Sequence, residues 1–340
     1  MAEKKILLIT GGAGYIGSHA VVAFEQAGYR TVIIDNLVNS SRDTLNGIEK
    51  ILGYCPDFYE CDIQDWEWLE KIFQKYDFDG VIHFAGLKAV GESCDHVGRY
   101  HENNVGGSLV LFGMMQKYGV QKIVFSSSAT VYRSDNISPL TEDMPTGTTN
   151  PYGTTKLVIE KLLEDYSRHT GWSVTILRYF NPIGAHPSGW IWESPQGVPN
   201  NLLPYVLDVA LGKRDMLYIF GDDYDTPDGT GVRDYIDVND LVEAHICAYT
   251  SLWSGYRVYN VWTGKGYSVL EIVHLVEEIS WKKIRTQIVW RRQGDLAQVY
   301  AGIHWITTQL NWLAKRSIFD SLSTSWQYSS KLRSTTNNDI

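Results

Sequence analysis

Cysteine is scarce in this chain: Cys55, Cys61, Cys94 and Cys247 are the four among 340 residues. They are too far apart for CxxC pairs, and no histidine cluster has zinc spacing, which argues against a disulfide framework and a structural metal site. Positive charge is in deficit, with 30 basic against 39 acidic residues and a formal charge of -9. No overall positive field exists to recruit nucleic acid or an anionic membrane, so any bound polyanion must be small and held locally. Apolar runs long enough to cross a bilayer are missing, and Met1–Lys5 leads straight into a five-residue apolar run too short for a signal peptide, so a soluble, cytoplasmic protein is expected. Internal repeats and low-complexity segments are absent too. What is present is 44% hydrophobic and 20% charged residues, the balance of a chain that buries ordinary cores. At roughly 150 residues per domain, this length predicts two domains.

Short apolar runs alternate with helical stretches from the start. Ile6–Thr10, Thr31–Asp35, Gly80–Phe84, Lys122–Ser126 and Ser173–Arg178 read as strands, and Ile16–Ala27, Trp66–Lys75, Asn103–Tyr118 and Thr154–His169 as helices. Apolar strands joined by helical crossovers predict a doubly wound (Rossmann) α/β fold, a parallel sheet covered on both faces. After Asn181 the texture changes. Five prolines fall between Pro182 and Pro204, and ten of the twelve tryptophans lie beyond His169. The expected division is a doubly wound domain over 1–180, a smaller mixed α/β domain over 181–330 and a frayed tail over 331–340, with segments near 237–262 returning to the first domain. The scattered tryptophans are read as core rather than as a ligand-stacking platform.

The first strand runs into GGAGYIGSH, which satisfies GxGxxG at Gly12, Gly14 and Gly17 and a second spacing from Gly11. Glycines suit a tight turn where a pyrophosphate meets bare backbone at a helix N-terminus and the helix packs closely on its strand. Asp35 follows at the end of the second strand, placed to accept hydrogen bonds from an adenosine ribose and to repel a 2'-phosphate. NAD is therefore favoured over NADP.

The fifth predicted strand ends in SSSATVY (Ser126–Tyr132), and NPYGTTK (Asn150–Lys156) opens the next helix. Tyr152 and Lys156, four apart, project from one helical face. A phenol with a pKa near 10 is a poor base, but an ammonium and a cationic nicotinamide alongside favour its phenolate. With a serine hydrogen-bonding the same substrate hydroxyl, such a pair removes a proton without a metal.

These motifs resemble the extended, sugar-nucleotide-modifying branch of the short-chain dehydrogenase/reductase superfamily, and within it the UDP-glucose 4-epimerase (UDP-galactose 4-epimerase) family. The resemblance runs from about Ile6 to about Gly302 and rests also on VIHFAGLKAVGES (Val81–Ser93), RYFNPIGAHPSG (Arg178–Gly189), GVPNNLLPY (Gly197–Tyr205), FGDDYDTPDGTGVRDYI (Phe220–Ile236) and RRQGD (Arg291–Asp295). It implies Ser128, Tyr152 and Lys156 as the catalytic group. For NAD+, tightly bound and regenerated each turnover, it implies the glycine turn with Tyr15 and Ile16, then Asp35, Asn36, Leu37, Val38, Asn39 and Ser40. Asp62, Ile63, Phe84, Ala85, Gly86, Leu87, Lys88 and Asn103 complete the cofactor set, with Phe180 near the nicotinamide. For a UDP-hexose substrate it implies Lys88, Ser128, Tyr152, Asn181, Asn201, Leu202, Tyr218, Phe220, Arg233, Arg292 and Asp295. The two arginines fall on the diphosphate, as guanidinium forks suit phosphate oxygens.

The implied reaction is reversible C4 epimerisation of UDP-galactose and UDP-glucose through a transient 4-keto sugar. A 4,6-dehydratase shares the fold but places Asp and Glu beside the serine, where this chain has Ala129 and Thr130. A non-catalytic sensor binding the same ligands is the rival outside enzymes, and the intact Ser128, Tyr152 and Lys156 argue against it. Val299 aligns with a hexose-pocket position that is a bulky tyrosine in members confined to the plain sugars, so N-acetylated UDP-hexoses are expected substrates. The helices Asn103–Tyr118 and Thr154–His169 match a pair that forms a homodimer in the family, although the apolar stripe Val105, Leu109, Phe112 and Met115 suits a core equally well. The chain departs from the family pattern at Arg133, Asp237, Val97, Trp262 and after Gly302, where the closing helix is faint.

Overall fold

A computed structural model of the protein describes residues 4–194, 201–251, 254–292 and 295–336. Alternation inside the apolar runs decides the layering. In the first strand, β1 (Ile6–Thr10), Leu7 and Ile9 enter one core and Leu8 the other, all three fully buried. The same division holds in β2 (Arg30–Asp35), where Ile33 faces one side and Val32 and Ile34 the other. With β3 (Asp57–Glu60), β4 (Phe78–His83), β5 (Lys122–Ser126) and β6 (Ser173–Arg178), these strands build most of a seven-stranded sheet. Four short elements follow: β7 (Asn181–Ile183), β8 (Leu217–Phe220), β9 (Val232–Asp237) and β10 (Gly255–Asn260).

The large sheet has the order β10-β6-β5-β4-β1-β2-β3, and every pairing in it is parallel. This is the doubly wound α/β fold read from the sequence. Strand order reverses at β1, which lies between β4 and β2, and such a switch point opens a crevice at the carboxyl ends of the strands. Edge strand β3 escaped the sequence reading because DFYE is short, and none of its residues is fully buried. After β9 the chain does return to this sheet: the helix Val238–Thr250 shares the Leu7/Ile9 core, and β10 pairs with β6.

The remaining strands belong to smaller sheets. The three-residue β11 (Gly266–Ser268) and the two-residue β13 (Gln298–Val299) flank β9, and β12 (Thr286–Val289) pairs with β8. A third core joins Leu203, Val206 and Leu207 of the helix Leu202–Ala210 to Leu217, Ile219, Ile272 and Leu322.

The faint C-terminal segment folds as a long helix, Ile318–Thr336, so the tail expected to fray from 331 is helical through Thr336. Its serines explain the weak sequence signal and its order together. Ser321 donates to Asp237 Oδ2 at 2.7 Å, while Ser325 and Thr324 accept from Gly184 N and Ala185 N at 3.1 and 3.2 Å. Asp237 also caps the helix Val238–Thr250 through Asn239 N at 2.8 Å. The other departures settle locally. Arg133 pairs with Asp135, exposed Val97 opens a short helix, and buried Trp262 donates its indole N–H to Arg178 O at 2.8 Å. The core reading of tryptophan holds for Trp172, Trp262 and Trp312 but fails for Trp281 and Trp290, which are 91% and 95% exposed.

Candidate active site

A cleft of about 280 Å³ lies along the carboxyl ends of the strands. Its floor is the turn between β1 and the helix Tyr15–Gln26. Gly11 has φ +70°, and a Cβ there would stand 2.8 Å from Ala85 N. At Gly17 the same atom would meet Gly11 O at 2.1 Å, so the helix starts this close to the strand only with glycine. Gly14, the N-cap, offers no side chain to the first-turn N–H groups, which leaves that helix start suited to a phosphate. Gly11, Gly14, Tyr15, Ile16 and Gly17 line the cleft; Gly12 instead packs on Ile33, whose Cγ2 would be 2.8 Å from its Cβ.

Asp35 lines the cleft at the end of β2 and accepts three hydrogen bonds, from Ala13 N at 3.0 Å, Leu37 N at 2.9 Å and Ser40 Oγ at 2.8 Å. Burial pushes its carboxyl pKa up, and those donors pull it back. The carboxylate thus ties the glycine turn to the loop after β2. Asn36, Val38, Asn39 and Ser40 share the wall, whereas Leu37, at φ +57°, turns away into the core. Ile63, Phe84, Ala85, Gly86, Leu87, Lys88 and Asn103 line it as well, and Asp62 stands behind, bonded to Asn36 Nδ2 at 2.7 Å.

The far wall carries the hydroxyls. All three serines after β5 line the cleft, but their bonds distinguish them. Ser126 bonds the Tyr179 hydroxyl, and Ser127 donates to the buried Glu160 at 2.5 Å. Ser128 Oγ accepts from Thr130 N at 3.2 Å and Thr130 Oγ1 at 3.0 Å, which leaves its own proton directed to the Tyr152 phenol in the cleft. The helix Pro151–Thr170 begins with Asn150 capping Gly153 N at 2.8 Å and proline at its first position. That start aims Tyr152 and, one turn on, Lys156 into the cleft. Lys156 Nζ donates to Ser126 O at 2.8 Å and lies 6.0 Å from the Tyr152 ring centroid.

Burial lowers the Lys156 pKa to about 8 and raises that of Tyr152 to about 12, with Ser128 pulling the phenol the other way. Among the chain's own groups it is Ser128, and not Lys156 as expected, that draws the phenol down against burial.

Phe180, Asn181 and Asn201 complete the predicted residues that share the cleft. The others form a second group. Leu202 opens the next helix and packs into the third core. Arg233, on β9, reaches Asp295 at 3.7 Å, and Arg292 lies 3.8 Å above the Phe220 ring. Tyr218 lies on β8 with Phe220, and Val299 pairs with Arg233 across β13 and β9, its side chain buried. Strand β9 connects the groups, since Asn181 Nδ2 donates to Asp234 O at 3.0 Å, one residue from Arg233. Residues 197–200 of GVPNNLLPY and 293–294 of RRQGD lie outside the described residues.

The structure adds lining residues that the sequence reading missed. Ser127, Thr130 and Tyr179 stand inside recognised motifs, and that membership was the available signal. Trp192 and Glu193 had none. Trp192 stacks on Tyr328 at 3.7 Å, and Glu193 accepts from Lys88 Nζ at 3.4 Å and Asn201 Nδ2 at 2.9 Å.

Comparison with known proteins identifies the family. The NAD dependent epimerase/dehydratase family matches residues 7–298. A UDP-glucose 4-epimerase of Yersinia enterocolitica is 50% identical over 324 residues, 95% of this chain and 96% of that protein. One from Bacillus subtilis is 50% identical over 327 residues, again 95% and 96%. Among solved structures, the UDP-glucose-4-epimerase from Stenotrophomonas maltophila, with bound NAD and formylated UDP-arabinopyranose, has a TM-score of 0.94 at 42% identity, covering 98% of this chain and 100% of that one. The Bifidobacterium longum enzyme, in complex with NAD+ and UDP, has a TM-score of 0.93 at 45% identity, covering 96% and 98%. With its glycine turn, its acidic partner after β2 and its Tyr/Lys pair in one cleft, the chain belongs to the NAD dependent epimerase/dehydratase family.

Proposed function

We propose that this protein interconverts UDP-galactose and UDP-glucose by inverting C4 of the hexose. The observation that carries the reading is that Ser128, Tyr152 and Lys156 line the same cleft as the glycine turn and Asp35. The uncapped helix start at Gly14 and the bare turn fit the NAD+ pyrophosphate, with Asp35 on the adenosine ribose and Phe180 beside the nicotinamide. Bound NAD+ supplies a hydride acceptor that returns the hydride, so the reaction has no net redox change.

The chain's own residues handle the proton and the orientation. Tyr152 takes the C4 hydroxyl proton, and Ser128 donates its hydrogen bond to the same oxygen. Lys156, as a cation, favours the phenolate and holds the nicotinamide ribose. Arg233 and Arg292 anchor the diphosphate away from the reacting carbon, so the 4-keto sugar can turn over and present its opposite face while bound. Ala129 and Thr130 beside Ser128 provide no carboxyl acid to expel a C6 hydroxyl. Incubating the purified protein with UDP-galactose and no added NAD tests the reading. UDP-glucose is expected; a 4-keto-6-deoxy product, or no turnover with cofactor shown to be bound, overturns it.

The finer parts of the proposal are acceptance of the N-acetylated UDP-hexoses, a cytoplasmic location and a homodimer. Of the apolar stripe, Phe112 and Met115 are buried beneath the sheet, but Leu109 is 43% exposed, which supports a partner on that face. Light scattering at micromolar concentration should report twice the mass of one chain, and a monomer removes the dimer from the proposal.

A further inference from the structure

The helix Pro151–Thr170 carries Tyr152, Lys156 and Glu160 at intervals of four, so the three side chains rise along one face, one turn apart. Tyr152 and Lys156 line the cleft, while Glu160 lies deeper, 1% exposed. A carboxylate at that depth is costly unless paired and hydrogen-bonded. Its partners come from two strands. Arg178, at the end of β6, makes a two-pronged pair, Nη2 to Oε2 at 2.6 Å and Nε to Oε1 at 3.0 Å. Ser127, just past β5, donates to Oε1 at 2.5 Å. Ser127 sits between Ser126, whose carbonyl receives the Lys156 ammonium, and Ser128. The carboxylate therefore grips the middle of the serine run whose two neighbours serve the cleft.

We propose that Glu160 is a positioning residue of this site: it fixes the serine run through Ser127 and keeps the buried Lys156 an ammonium cation. The inference rests on the proposed roles of Ser128, Tyr152 and Lys156. The groups that face Lys156 are few. Its own helix supplies Tyr152 and Glu160. From β4 comes His83, which burial holds neutral with a pKa of about 3. From β5 come the Ser126 carbonyl and the Phe125 ring, 4.8 Å from Nζ. Beyond β6, Tyr179 bonds Ser126, and Arg178 is engaged by Glu160. Burial lowers the Lys156 pKa, and Glu160 is the charge that opposes it. Losing that charge shifts the amine toward its neutral form, with the largest consequence on the alkaline side.

The test compares Glu160→Gln, the double variant Glu160→Gln with Arg178→Gln, and Ser127→Ala. The double variant matters because Glu160→Gln alone leaves Arg178 buried without its partner and can unfold the protein. Two readouts are taken on the purified protein: the titration of the Lys156 amine, followed by competitive labelling with a small acylating reagent and mass spectrometry, and kcat as a function of pH. In both Gln variants Lys156 should titrate at lower pH than in the wild type. Their kcat relative to wild type should fall roughly tenfold at pH 8.5 and about twofold or less at pH 6.5. Ser127→Ala should leave the Lys156 titration in place and lower kcat by about threefold at every pH. A folded double variant with the wild-type Lys156 titration and a pH-independent activity ratio overturns the charge role, and an unchanged kcat in Ser127→Ala overturns the grip on the serine run. Should the wild type fail to convert UDP-galactose, the proposed function fails, while the labelling measurement still decides the role of Glu160.

Discussion

The two halves of the candidate site are built differently. Along the large sheet, candidate groups sit at or just past the ends of successive strands, Gly11 after β1, Asp35 at the end of β2, Phe84 after β4 and Ser128 after β5, and the helix Pro151–Thr170 adds Tyr152 and Lys156 one turn apart. Beyond Asn181, the groups assigned to the sugar nucleotide are gathered from separate segments. Arg233 of β9 meets Asp295, and Arg292 covers Phe220 of β8. A turn next to a strand end holds its residue through contiguous backbone, whereas the second cluster, although Arg233 itself lies on the paired strand β9, comes together through side-chain contacts between segments roughly sixty or more residues apart. The first half is accordingly suited to rigid chemistry and the second to an adjustable grip on a ligand that must turn over during the reaction.

Substitutions can sharpen or break that contrast. The largest effect is expected at Tyr152→Phe, which removes one hydroxyl from the rigid wall. The fold and bound NAD should persist while kcat falls about 10² to 10⁴-fold; a rate near wild type would assign the base elsewhere. Arg292→Leu, in the adjustable half, should act on binding. Losing a charge-assisted bond of about 1.5–3 kcal/mol should raise KM for UDP-galactose roughly 10 to 100-fold with kcat little changed. A fall in kcat alone would place Arg292 in the reacting geometry and dissolve the comparison. Asp35→Ala should weaken NAD about tenfold, measured by cofactor retention, and relax the bias against NADP. Because Asp35 also receives Ala13 N and Leu37 N, Asp35→Asn should recover part of the turn but not the preference. Val299→Tyr should have the smallest effect on UDP-galactose turnover, about threefold or less, while abolishing turnover of the N-acetyl pair. Val299 is packed between strands, so overfilling there should also cost about 1–3 kcal/mol of stability, read as a lower Tm.

The legibility of the molecule in its sequence follows the same division. The glycine turn, Asp35 and the Tyr152/Lys156 pair were readable because their spacing is set by one turn or one helix, and local geometry does not depend on the rest of the chain. Gly12 shows the limit of even that reading: it belongs to the motif yet packs closely on Ile33 of β2 rather than lining the cleft. Glu193 and Trp192 were invisible, since neither stands in a motif and their partners Lys88 and Tyr328 lie more than a hundred residues away. The closing helix was nearly invisible as well. Its serines lower helix propensity, and the bonds that hold it run to Asp237, Gly184 and Ala185.

By itself, the sequence determined the parallel α/β sheet, the glycine turn after β1 and the placing of Tyr152 and Lys156 on one helical face, because hydrophobic periodicity and short spacings encode structure within a few residues. Tertiary structure alone decided which of three adjacent serines turns its hydroxyl to Tyr152, since Ser126 and Ser127 are claimed by Tyr179 and Glu160 from other elements. It alone also decided the electrostatic setting of the pair. The same phenol and amine in water would titrate near 10 and 10.4, and it is burial that moves them to about 12 and about 8. Burial depends on how many other segments close over a side chain, and no local pattern records that.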